Sequence, residues 1–140
     1  MIIIVNQIKK QIYNILSEDL KYNVMDNPYN MKERTFPYVI LNLQNVTRDS
    51  YKNSYQYMIK YKIDIFSNYD GEKEILEMEQ AIFNHMEKLY DNEFVTYFRE
   101  SSFRIMDDKS TSVTRKHGII TYTIISTGGI VEDEQTDETN

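Results

Sequence analysis

Tyr55-Gln56-Tyr57-Met58-Ile59-Lys60-Tyr61-Lys62-Ile63-Asp64-Ile65 carries the clearest periodic pattern in the chain. Tyrosine or isoleucine takes every second position, and Gln56, Lys60, Lys62 and Asp64 alternate with them. Side chains on a strand point to opposite faces in turn, so this spacing predicts a long strand with one packed and one polar face. Upstream, Phe36-Pro37-Tyr38-Val39-Ile40-Leu41-Asn42-Leu43 predicts a second strand, and Pro37 suits its first residue, where a missing amide donor does least harm. A polar connection over residues 47–53 joins the two, which should pair as an antiparallel hairpin with an extended tip.

Downstream, Ser67-Asn68-Tyr69-Asp70-Gly71 makes a turn, with Asn68 or Asp70 available to cap a helix. Glu72 and Glu74 fall in the first helical turn, where the helix dipole favours negative charge. Ile75, Met78, Ile82, Met86 and Leu89 then form one apolar stripe, so the helix should run to about Tyr90 and stop at Asp91-Asn92. Residues 94–105 predict a third strand, interrupted at Ser101-Ser102, and residues 107–114 a polar loop. Residues 117–127 predict the last strand, with Ile and Thr on both faces and therefore a covered place in the sheet. At the other end, Ile4, Ile8, Ile12 and Ile15/Leu16 give residues 3–20 an amphipathic helix. Asn23, Asn27, Pro28 and Asn30 break the chain into an irregular loop over residues 21–35. The order α-β-β-α-β-β predicts an α+β fold, a mainly antiparallel sheet with both helices on one face.

The 140 residues suit a single domain, residues 1–131, and a chain of this size buries roughly 68% of its unfolded surface without staples. Residues 132–140 hold Glu132, Asp133, Glu134, Asp137 and Glu138 with no basic residue, and read as a disordered acidic tail. Setting those five aside leaves 17 of the 22 acidic residues against 16 basic ones, a near-neutral body with little general attraction for phosphate backbones. Cysteine is absent, so disulfides and thiolate metal sites are excluded. The apolar Met1-Ile2-Ile3-Ile4-Val5 is too short for a membrane span, and Lys9 and Lys10 follow it instead of preceding it as in a signal peptide. The expected setting is cytoplasmic, with no membrane partner.

Residues for covalent or acid–base chemistry are sparse. There is no cysteine nucleophile, no G-x-S-x-G elbow, no HExxH and no EF-hand loop. His85 and His117 read as ordinary surface or packing residues, Asp107-Asp108 as a solvated pair, and Glu74 with Glu77 as an outer helix face. The expectation is therefore no catalytic residue, no cofactor and no metal.

Tyrosine is the unusual feature, at twelve residues. Tyr51, Tyr55, Tyr57 and Tyr61 are assigned to one face of the long hairpin. Tyr61 belongs to the core, whereas Tyr51 and Tyr55 suit either hairpin packing or an interface, where tyrosine buries area while keeping a polar tip. Arg48, Lys52, Lys60 and Lys62 form a basic stretch, either a solvated face that discourages edge aggregation or a partner for an acidic patch on a neighbouring subunit.

Thr35-Phe36-Pro37-Tyr38-Val39-Ile40 is similar to the "FPYVV" strand start of tail terminator and tail completion proteins of long-tailed bacteriophages. Tyr61-Lys62-Ile63-Asp64-Ile65-Phe66-Ser67-Asn68 followed by Gly71-Glu72-Lys73-Glu74 resembles their second strand, turn and helix start. Asp107-Asp108-Lys109-Ser110 through Val113-Thr114-Arg115 into Gly118-Ile119-Ile120 resembles their last loop and strand. The resemblance covers most of residues 8–126. Asp91-Asn92-Glu93 stands in place of a glycine turn, and His117 where arginine or an aromatic is usual.

The resemblance implies a non-enzymatic virion protein, assembled in the host cytoplasm and sited at the head–tail junction. It implies a ring, commonly hexameric, that ends the tail tube and presents a surface to the head completion or connector protein. Its partners would be copies of itself, the tube protein and the connector, with no specific nucleic acid. Arg48, Tyr51, Lys52, Tyr55 and Arg115 are the candidate interface residues. Another neck protein, or a small nucleic-acid-binding module stacking bases on tyrosine, are the competing readings. A small hydrolase has no motif behind it.

Overall fold

The computed structural model describes residues 2–25, 36–51, 54–69, 71–108 and 115–127. Helix α1 (Ile2–Asn14) continues into a π-helical turn, Ile15–Asp19, and then a short strand β1 (Asn23–Met25). Strands β2 (Tyr38–Tyr51) and β3 (Ser54–Ser67) form the first hairpin. Helix α2 (Lys73–His85) runs into a 3-10 turn, Met86–Asp91, and β4 (Val95–Asp108) and β5 (Arg115–Ser126) form the second hairpin. The sheet order is β1-β2-β3-β5-β4, antiparallel except for the β1–β2 pair. The α+β class and the expected order of elements hold, with one short strand added.

Both helices lie on one face. Ile4, Val5, Ile8, Ile12, Ile15 and Leu16 pack with Ile75, Met78, Ile82, Met86 and Leu89 over a floor of strand residues. That floor is the alternating set seen in the sequence: Tyr57, Ile59, Tyr61, Ile63 and Ile65 of β3, joined by Ile120, Tyr122 and Ile124 of β5. Tyr61 donates its hydroxyl to the Val5 carbonyl at 3.2 Å, so the buried phenol has a partner and ties β3 to α1. Burial holds the Tyr61 and Tyr122 phenols well above the ordinary tyrosine range. Lys88, in the 3-10 turn after α2, meets Asp19 of the π-helical turn at 2.7 Å, and Gln11 of α1 donates to the Lys88 carbonyl at 2.6 Å, which joins the ends of the two helical segments.

At Gly118, α2 comes close to the sheet through Ile75. A Cβ there would stand 2.7 Å from Ile75 Cγ2 and 3.3 Å from Phe103 Cε1, so the helix can seat only on a residue without a side chain.

Four local expectations change. The loop expected over residues 21–35 contains β1, three residues pairing in parallel with Tyr38, Val39 and Ile40. Lys21 sits in the left-handed region at φ 57°, ending the helical run, and Tyr22 N–H reaches the Leu16 carbonyl at 2.8 Å. The polar connection expected from residue 47 is strand: β2 runs to Tyr51 because each residue is held by β3 across the ladder. Asp107 and Asp108 likewise belong to β4, opposite Lys116 and Arg115. Helix α2 carries no side-chain cap; instead Ser67 Oγ accepts from Tyr69 N–H at 3.0 Å and donates to Glu74 Oε1 at 2.5 Å, which organises the turn. The acidic tail and Lys52 lie outside the described residues, as does Asp70.

Candidate functional site

The face of the sheet turned away from the helices has its own organisation. Tyr38, Phe66 and His117 are cross-strand neighbours on β2, β3 and β5. Their rings form a column: Tyr38 and Phe66 stack with centroids 4.8 Å apart, and Phe66 and His117 stack at 4.2 Å. Phe36 packs against Tyr38 at 5.1 Å, and the Arg115 guanidinium lies 4.5 Å above the Phe36 ring. The peptide bond between Phe36 and Pro37 is cis.

One row along, Asp64 is 5% exposed. A carboxylate taken out of water needs compensating donors. Asp64 Oδ1 receives His117 Nε2 at 2.8 Å, Oδ2 receives Asn42 Nδ2 at 3.1 Å, and Lys62 Nζ lies 3.7 Å from Oδ2. His117 serves two contacts at once: its ring stacks on Phe66 and its nitrogen meets the carboxylate. Sequence reasoning read it as an ordinary packing or surface residue and missed Asp64. The two are far apart in the chain, and only the β3–β5 register brings them together.

This arrangement is a clamp on three strands. Among the described residues, no group of three or more His, Cys, Asp or Glu side chains could hold a metal, and no helix is long and apolar enough to cross a membrane.

The candidate interface residues fall in two places. Arg115 joins the aromatic column; its buried Nε meets no hydrogen-bond acceptor among the described residues. Arg48 is exposed on outer β2, opposite Tyr57. Tyr51 and Tyr55 are placed by register only: Tyr51 pairs with Ser54 and Tyr55 with Ser50. These are consecutive pairs of the ladder, so positions 51 and 55 belong to opposite faces, in contrast to the single face expected from sequence. The pairs Asp49–Gln56, Ser50–Tyr55 and Tyr51–Ser54 continue past Ser126, where β5 ends opposite Tyr57. The hairpin therefore projects by a few residues.

The sheet edges were not anticipated. β1 covers only Tyr38–Ile40 of β2, so residues 41–51 form an edge with no further strand among the described residues, and β4 forms the other edge along its whole length. Bulges interrupt β2 between Leu43 and Asn45, and β4 between Val95 and Tyr97 and between Glu100 and Ser102. Bulges guard edges against stray pairing, yet residues 45–51 and 102–108 remain regular. Leu43 on β2 and Tyr97 and Met106 on β4 are exposed although apolar. Beside outer β2 runs a groove of about 540 Å³ lined by Asn6, Lys9, Lys10, Tyr13, Leu41, Asn42 and Leu43.

Comparison with known proteins leaves the family open. No family model matches the chain, and no curated protein does. A solved chain from a structure described as the virion of a native gene transfer agent particle matches at 11% identity and a TM-score of 0.47, over 85% of this chain and 91% of that one. At that score the likeness carries no argument about fold or role.

Proposed function

We propose that this protein is a structural component of a phage-type virion, a tail terminator that works as a closed ring of identical copies. The observation that carries the reading is the pair of open sheet edges. Strand directions alternate from β2 through β3 and β5 to β4. The β4 edge of one copy laid beside the outer β2 edge of the next is therefore antiparallel, with the helices of both copies on the same face. This is a head-to-tail contact using two different patches, the kind that closes into a ring when the rotation per copy allows.

Charge supports the same joint. The two edges carry opposite charges that such a joint can use, with Asp49 exposed on outer β2 and Arg99 exposed on β4. The succession of sequence motifs supports the place in the virion: the FPYV strand start, the second strand with its Ser-Asn turn, and the last loop and strand. In this reading the ring sits on the final ring of tube protein, stops its polymerisation and offers its other side to the connector. It acts through shape and needs no reactive group.

Sedimentation of the purified protein, with negative-stain images of it mixed with tube protein, tests the proposal. Rings of uniform size that cap tubes of defined length are expected. A β4-to-β4 dimer that never closes, or tubes that grow unchecked in its presence, would overturn it.

A further inference from the structure

The groove between α1 and outer β2 is a basic one. Its charged lining residues are Lys9 and Lys10, both exposed, and no acidic side chain lines it. The ion pairs found among the described residues involve Lys62, Lys88, Lys116 and His117, so neither Lys9 nor Lys10 is matched by a carboxylate there. Tyr13 and Leu43 give the same groove an exposed apolar wall.

The same chain carries a segment of opposite charge. Glu132, Asp133, Glu134, Asp137 and Glu138 follow one another with no basic residue among them. Its starting point is fixed: β5 ends at Ser126, and Thr127 N–H still reaches the Phe94 carbonyl at 3.1 Å. Ser126 lies opposite Tyr57, and Tyr57 opposite Arg48, so the end of β5 is level with Arg48 and two strands away. From there back along β2 to Leu43 the straight-line span is about 20 Å, from strand rise and strand spacing. Extended chain covers about 3.3–3.6 Å per residue, so Glu132 reaches about 20 Å from Ser126 and Glu138 about 40 Å.

We propose that the acidic segment, residues 132–138, docks in the groove between α1 and β2 of its own chain, with its carboxylates on Lys9 and Lys10. Each such exposed pair is weak alone. Tethering, however, holds the segment near its site at an effective concentration of about a millimolar, so weak pairs suffice. Seated there, the segment puts charge beside the stretch of β2 that has no neighbour strand among the described residues, one way an open edge is kept from stray pairing. The contact runs through side chains within one chain, so it stands or falls independently of ring formation.

Zero-length carbodiimide cross-linking of dilute full-length protein, made as an equal mixture of isotope-labelled and unlabelled chains, tests the docking. Links from Lys9 or Lys10 to residues 132–138 within chains of one label are expected, at least fivefold weaker in about 0.5 M salt, where the Debye length is only about 4 Å. Links between labelled and unlabelled chains would assign the groove to the tail of a second copy, and links only to other lysines would assign the tail elsewhere; either overturns the proposal. Amide NMR spectra of a variant with all five acids amidated (Glu132→Gln, Asp133→Asn, Glu134→Gln, Asp137→Asn, Glu138→Gln) supply a second reading. Shift changes confined to residues 6–13 and 41–43, reproduced by the double variant Lys9→Gln and Lys10→Gln in the amides of residues 132–138, are expected. A groove whose amides do not respond to loss of the acids would contradict the docking.

Discussion

Each hairpin contributes one inner and one outer strand, and the two kinds of strand live in different environments. Inner strands β3 and β5 bury nearly every residue that faces the helices, and several that face the other way, including Asp64, Ile119 and Thr123. Among the described side chains, outer strand β4 is buried only at Val95, and β2 is buried at Tyr38, Val39 and Ile40 and then half-buried or exposed through Asp49. The inner pair therefore holds the fold together. The outer pair is attached through ladder hydrogen bonds on one side and has donors and acceptors left over on the other. Among the described residues these edges have no further strand beside them, and the proposed joining of copies would use them.

Truncating core side chains should break this comparison most visibly if it is wrong. Ile63→Ala on β3 removes a fully buried side chain and should lower stability by about 2–5 kcal/mol in a denaturant melt. Ile105→Ala on β4, where the side chain is half-buried, should cost clearly less, about 1–2 kcal/mol. Equal losses would mean that the outer strand is as firmly seated as the inner one.

Gly118→Ala sharpens the picture of how α2 sits on β5. Its new methyl group would meet Ile75 Cγ2 at 2.7 Å, and the expected loss is about 1–3 kcal/mol. A neutral result in the same melt would show that the helix rides higher on the sheet. The smallest effect expected is that of Tyr61→Phe, which keeps the ring in the core and removes only the bond to the Val5 carbonyl, for about 1 kcal/mol.

The same division explains what could be seen in the sequence. β3 was legible because its helix face is all tyrosine and isoleucine while its other face carries Lys60, Lys62 and Asp64. The stripe of α2 was legible for the same reason at helical spacing. β1 was not: Asn23-Val24-Met25 has no alternation long enough to register, and it exists because β2 offers it a partner. The outer part of β2, Thr47-Arg48-Asp49-Ser50, looks like a loop by composition and is strand only because β3 pairs with it. The clamp around Asp64 shares this dependence on register. Alternation marked Asp64 as belonging to a polar face, but nothing local says that Asn42 from β2 and His117 from β5 will converge on it. Arg115 was placed among candidate interface residues by family resemblance, and its stacking on Phe36 has no local signal either.

Hydrogen–deuterium exchange, compared between dilute, dissociated protein and the concentrated assembly, tests the joining of the outer strands most directly. The account predicts that amides of residues 41–51 and 95–108 gain protection together on assembly, while those of β3 and β5 are already protected in the single chain. Assembly that protects neither edge, or a chain that stays monomeric at every concentration, would contradict it.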